Sequence, residues 1–269
     1  MGEMEELLTY MKTLGDQSIQ RTQLKHRLDL VQAFKIEEGM RVLEIGCGQG
    51  DTTVALANAV GETGFVKAVD IASREYGAPI TLGEATDFIK ASPLGNRISF
   101  IFEADFLKMN IEGKYDVAVL SHSLWYFQDP ALLLSYFRKL KHIAKRICIA
   151  EWDLEWSMKE QLAHFYAANI LAIYADQFDD EGNIQNLFHK EQLKEIMKEA
   201  GWKLLDTKIV DASFLQDGKW EIDFAKSIRE KFKNSSIKIN TLVQSNYSML
   251  EKATSHGEQS LNSVVLIAI

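Results

Sequence analysis

The chain is poor in the residues that break or staple folds. Only three prolines and two cysteines occur in 269 residues. Cys47 sits among glycines and Cys148 in an apolar run, which argues against a structural disulfide and fits a reducing, cytoplasmic setting. No apolar run approaches the ~20 residues of a membrane helix, and residues 1–17 lack the cationic and apolar regions of a secretory leader. Basic excess is missing as well. The net charge of −8 disfavours a nucleic-acid surface, which needs clustered Lys and Arg. These absences leave a soluble protein with no nucleic-acid or membrane partner. Its hydrophobic content of 46% is enough to fill a sizeable core.

What is present alternates in period. Helical spacing covers 3–14 and 17–35, and a strand follows at Arg41–Ile45. Helices over 51–60 and 81–91, and one starting near Asp129–Pro130, are interleaved with strands at 65–70, 98–102, 115–120 and 145–150. Such alternation implies a doubly wound, Rossmann-like α/β sheet of seven strands. The sheet is mostly parallel with an antiparallel terminal strand, and its binding crevice lies at the carboxyl ends. Beyond it come helices at 155–177 and 189–200, a strand in 201–210, helices at 219–233 and 236–255, and a strand at 264–269. The expected division is an N-terminal helical element (1–35), an α/β core (36–154), a helical cap and return helix (155–200), and final strands with a two-helix insertion (201–269).

The first strand runs into "LEIGCGQGD". Gly46, Gly48 and Gly50 bring a ligand close to the backbone. The dinucleotide spacing G-x-G-x-x-G would need glycine at Asp51, and no P-loop lysine is nearby. A phosphate between Glu44 and Asp51 would also meet like charge, at a cost of roughly a few kcal/mol in a partly desolvated crevice. A ligand with positive charge and no phosphate meets no such penalty. S-adenosylmethionine has those properties.

"LEIGCGQGD" resembles the E/D-x-G-x-G-x-G motif of class I S-adenosylmethionine-dependent methyltransferases. The resemblance continues through Asp70 in "AVD", Asp105 in "EADF" and the segment "YDVAVLSHSLWYF". It implies that Glu44, Gly46, Cys47, Gly48, Gln49 and Gly50 form the cofactor loop. It also implies that Asp70, with Ile71 beside it, takes the ribose hydroxyls, that Asp105 and Phe106 meet the adenine, and that Ser121 approaches the methionine part. Cys47 contributes its backbone and no nucleophile. Gln49 either touches the ligand or shapes the loop. Arg27 lies on a helix that the family folds over the cofactor and is a candidate partner for the methionine carboxylate.

In-line methyl transfer depends on placement and needs a base only for a protonated acceptor. His122 is the candidate general base, and His122, Trp125, Tyr126 and Trp152 are candidates for the acceptor wall. The aromatic stripe Trp156, His164, Phe165, Tyr166, Tyr174 and Phe178 reads as core, with part of it available to roof an acceptor pocket. The expected reaction is methylation of a small molecule, yielding S-adenosylhomocysteine and requiring no metal; monomer and homodimer stay open. Two rivals remain: an aminopropyltransferase-like enzyme, disfavoured because Ser121–His122–Ser123 lacks its acid, and a non-catalytic S-adenosylmethionine-binding module.

Overall fold

A computed structural model describes residues 2–178, 182 and 184–269. Nine helices are named among these: α1 (Glu3–Leu8), α2 (Ser18–Ala33), α3 (Asp51–Ala59), α4 (Leu82–Lys90), α5 (Pro130–Ile143), α6 (Leu162–Phe178), α7 (Lys190–Glu199), α8 (Asp217–Ser227) and α9 (Ile237–Thr254). The strands are β1 (Arg41–Ile45), β2 (Phe65–Val69), β3 (Ile98–Ile101), β4 (Tyr115–Ser121), β5 (Ala144–Trp152), β6 (Leu204–Val210) and β7 (Ser263–Ala268). None of the described helices is long and apolar enough to cross a membrane.

The strands form one sheet in the order β3-β2-β1-β4-β5-β7-β6. Pairing is parallel from β3 to β5, and β7 runs antiparallel to both neighbours. The fold is the expected doubly wound sheet with one reversed strand. The chain runs outward from β1 to β2 and β3, then crosses back to β4 on the other side of β1, so a crevice opens above the carboxyl ends of β1 and β4.

Side-chain alternation divides the core between the two faces. Leu43 and Ile45 of β1, Ala118 and Leu120 of β4, and Val264 and Leu266 of β7 join α5, α6, α7, α8 and α9. Val42, Val117, Val119, Val265 and Ile267 face α1, α2 and α3. By the same alternation Glu44 lies on the second face, beneath α3. β7 is buried along its whole length, whereas β6 alternates and forms the edge.

Three helices are shorter than their periodicity suggests: the 219–233 pattern divides into α8 and a 3₁₀ segment at Arg229–Asn234, and α1 and α6 each have a visible cause. After Leu8 the chain tightens to bonds three residues back, with Thr9, Tyr10 and Met11 donating to Glu6, Leu7 and Leu8 carbonyls. That ends α1 while Leu7, Leu8 and Met11 still pack inward. At the other site, the Asp153 and Gln161 side chains accept the amides of Glu155, Ser157 and Met158. These bonds hold 153–158 as a loop, and α6 begins only after a short 3₁₀ turn at Lys159–Gln161. The Trp156 end of the aromatic stripe is therefore loop, 45% exposed. β5 extends two residues beyond the expected strand, to Trp152.

Leu266 is fully buried in β7 while Ile209 on β6 is 51% exposed. Leu266→Ala should therefore cost about 2–5 kcal/mol and Ile209→Ala about 0.5 kcal/mol. Chemical denaturation of both variants checks the order; equal losses would contradict the placement of β7 inside the sheet.

Candidate functional site

A cavity of about 510 Å³ opens above the carboxyl ends of β1, β2 and β4. The glycine loop forms one wall. Gly46, Gly48 and Gly50 have φ of +78°, +52° and +90°, which L side chains rarely adopt. Gly46 also has no room for a side chain, since a Cβ there would lie 2.6 Å from Ser123 Cβ. Gly50 caps α3 and packs on Ile89, so it shapes the loop without lining the cavity.

Asp70 joins the first two strand ends. Its Oδ2 accepts from the Gly48 amide at 2.8 Å and its Oδ1 from the Ala72 amide at 2.9 Å. Both oxygens retain lone-pair capacity, and the residue lines the cavity beside Ile71, an apolar side chain left 68% exposed. Gln49 donates to the Ile80 carbonyl at 2.7 Å, bracing the 72–81 loop, and also lines the cavity. Cys47 lines it too, its thiol pushed up by burial and so unreactive. Phe106, Ser121 and Arg27 complete the expected lining. Arg27 Nε and Ser121 Oγ are buried without a protein partner.

Several expected site residues stand elsewhere. The Glu44 carboxyl is buried under the loop, where it accepts from Thr53 Oγ1 at 2.6 Å. Burial pushes its pKa up to about 8, against the opposing Thr53 bond. Like-charge repulsion of a phosphate therefore falls chiefly to Asp70; Asp51 also lines the cavity, but burial raises its pKa as it does that of Glu44. Asp105 caps the turn after β3, accepting from the Leu107 amide and pairing with Lys108 at 3.0 Å, which holds it below its ordinary pKa. It leaves Phe106 as the lining residue. Trp125 is buried away from the cavity, and Trp152 packs beneath it on His122, 4.4 Å between ring centroids.

His122 does line the cavity, but its Nε2 is taken by a protein group and its Nδ1 is buried. Nε2 bonds to Ser263 Oγ at 2.9 Å, and Nδ1 lies 3.5 Å from Glu151 Oε1 without a hydrogen-bond partner. Glu151, 1% exposed, also accepts the Leu124 and Trp152 amides and so fixes the turn after β4. Of the expected acceptor wall, Tyr126 stands at the cavity, 51% exposed.

Tyr76, Phe127, Leu132 and Tyr136 line the cavity without having been singled out as site residues. In sequence Leu132 and Tyr136 belong to the helical pattern "PALLLSYF", which is indistinguishable from core. Tyr76 lies in "SREYGAPITLGEA" after Asp70, where Tyr76, Gly77 and Pro79 stand together in an insertion on the cofactor side.

The family description "Methyltransferase domain" matches residues 17–207. The chain belongs to this methyltransferase-domain family. The match spans α2 to β6 and so contains every strand end around the cavity. Over 156 residues the domain is 31% identical to the methyltransferase phomM of Diaporthe leptostromiformis, half of this chain and 40% of that one. The chain thus spans less than half the length of that curated relative. A solved cyclopropane-fatty-acyl-phospholipid synthase-like protein from Lactobacillus casei is 32% identical, with a TM-score of 0.89 over 98% of both chains. Magnesium protoporphyrin IX methyltransferase from Synechocystis, solved with bound S-adenosylhomocysteine, shares the fold, at TM-score 0.53 and 15% identity over 97% of this chain and 90% of that one.

Glu44 gives this methyltransferase domain a testable pH response. A carboxyl whose folded pKa exceeds its unfolded value loses stability as pH rises from about 4 to about 8. His26 acts in the opposite sense, since burial lowers its pKa, so comparison with a variant isolates the Glu44 effect. Between pH 5 and 8 the wild type should lose on the order of a few kcal/mol relative to Glu44→Gln. Denaturation at both pH values measures this; parallel responses would contradict the burial of an ionisable Glu44.

Proposed function

We propose that the protein is an S-adenosylmethionine-dependent methyltransferase acting on a small-molecule acceptor. The observation that carries this is the cavity itself. It joins a glycine wall, a carboxylate with spare acceptor capacity, an exposed Ile71 and an arginine whose Nε has no protein partner. Those features suit an adenosine with vicinal hydroxyls and an amino-acid end. Family membership supplies independent support.

When bound, S-adenosylmethionine supplies an electrophilic methyl group on a sulfonium. The residues around it hold and orient. Asp70 accepts the ribose hydroxyls in addition to its two amides. Ile71 and Phe106 flank the adenine, with Asp105 keeping the Phe106 turn in place. Arg27 pairs with the carboxylate, and Ser121 and the Gly46–Gly48 backbone line the methionine path. Asp70 disfavours phosphate ligands and favours a cation.

The acceptor enters past Tyr76 and Tyr126, which are 56% and 51% exposed on the same cavity. With Phe127 and Leu132 they favour an apolar or aromatic small molecule. Among the described residues no side chain at this mouth is placed as a general base, so catalysis rests chiefly on placement of acceptor and methyl group.

Asp70→Asn should weaken S-adenosylmethionine binding about 10- to 100-fold, the loss of charge-assisted hydrogen bonds worth roughly 1.5–3 kcal/mol. Calorimetry on the folded variant measures it, alongside a methyl-transfer screen over apolar acceptors with the wild type. Unchanged affinity in the variant would refute the role of Asp70, and binding without turnover on any acceptor would favour a non-catalytic module.

A further inference from the structure

Beneath the cavity floor lies a string of polar groups from four distant parts of the chain. Arg27 Nη1 is 3.3 Å from His26 Nδ1, and His26 Nε2 is 3.0 Å from Ser263 Oγ. The same hydroxyl is 2.9 Å from His122 Nε2, and His122 Nδ1 is 3.5 Å from Glu151 Oε1. His26 and Ser263 are fully buried and Glu151 is 1% exposed, so bulk water does not share these contacts.

The proton positions follow from the donor and acceptor inventory. A guanidinium only donates, so His26 Nδ1 must be the bare acceptor. A charged His26 would turn an N–H toward Arg27, and burial beside that cation opposes the charge as well. His26 is therefore neutral with its proton on Nε2, and it donates to Ser263 Oγ. The serine oxygen can accept twice, but its own buried proton has no acceptor among the described residues other than His122 Nε2, so it donates there. His122 Nε2 is then bare, and its ring proton sits on Nδ1, toward the Glu151 carboxylate. Each of the three hydrogen bonds donates in the same direction, from the Arg27 cation to His122, whose Nδ1 then faces Glu151 Oε1 at 3.5 Å, outside hydrogen-bond geometry.

We propose that Arg27, His26, Ser263 and His122 form a one-directional hydrogen-bond relay, ending beside Glu151, that locks His122 in its Nδ1–H tautomer and links it to the arginine on the cavity wall. In this arrangement His122 is a positioning residue. Its Nε2 is committed to Ser263, its Nδ1 is buried beside Glu151, and its ring is held between Trp152 and the cavity. The backbone carries the same commitment: His122 has φ of +48°, and its amide donates to Ala150 O at 2.8 Å. Such a conformation persists where surrounding contacts over-determine it. Arg27 is the point at which a ligand reaches the relay. An anionic group arriving at this guanidinium changes its donation to His26. That last link rests on the proposed function, because it takes the ligand's carboxylate to be the anion.

Nitrogen NMR of the full chain, labelled at histidine, reads the tautomers directly. His164 provides an internal reference: its Nδ1 accepts from the Leu261 amide and its Nε2 faces Glu221 at 2.7 Å, so its proton is on Nε2. In the free protein at neutral pH, His26 should match His164, and His122 should have the opposite pattern, with Nδ1 protonated and Nε2 bare. A protonated Nε2 on His122, or an imidazolium at either site, would overturn the relay. In Ser263→Ala the His122 Nε2 resonance should move to that of a bare nitrogen without a donor, while His164 is unchanged; an unmoved His122 would also overturn it. Addition of S-adenosylhomocysteine should shift His26 Nδ1. Binding seen by calorimetry with His26 unmoved would remove the link to the cavity. Absence of binding would refute the proposed function, and the tautomers of the free protein would still decide the relay.

Discussion

The shape of the cavity depends on one carboxylate. Asp70 lies just past β2 and accepts two backbone amides, one from the glycine loop after β1 and one from its own loop. Without this double acceptor the Gly48 amide would point at nothing fixed, and the two strand ends would not share a wall. Glycine supplies the other half of the constraint. Gly46 turns at positive φ against Ser123 in a space too small for a methyl group, so the β1 and β4 loops meet backbone to side chain. The cavity is therefore a product of three strand ends held at fixed separation, with its polar capacity left facing inward.

A second layer of polar groups supports that wall from below. Glu151 near the end of β5 accepts the amides of the β4 turn, and Ser263 at the start of β7 bridges two imidazoles. This layer exists because β7 inserts between β5 and β6, bringing residue 263 against residues 26 and 122. Insertion of the last strand thus does two things. It fills the core with Val264, Val265, Leu266 and Ile267, and it completes the network that fixes the floor of the site.

Much of this was legible in the sequence. The strand–helix alternation and the glycine loop could be read directly, because period and motif spacing report backbone geometry, and the family resemblance pointed to Asp70, Ile71 and Phe106, which line the cavity. Side-chain direction was harder to read. Glu44 sits in the motif, but strand alternation sends it to the α3 face, where Thr53 accounts for it. His122 was placed correctly beside the crevice, yet its chemistry depends on Ser263, 141 residues away, which no local pattern announces. Trp125 and Trp152 fell to the same ambiguity in reverse, as aromatic residues near a site that serve its foundations. Tyr136 was hidden because a lining residue on α5 has the same helical spacing as its core neighbours Leu133, Phe137 and Leu140.

The central claim is that this cavity is built for an adenosyl sulfonium and its product and not for a pyrophosphate. Calorimetric titration of the wild-type chain with S-adenosylhomocysteine and, separately, with NAD tests it most directly. The account predicts saturable binding of S-adenosylhomocysteine at one site and no measurable binding of NAD. Saturable NAD binding with no response to S-adenosylhomocysteine would contradict it.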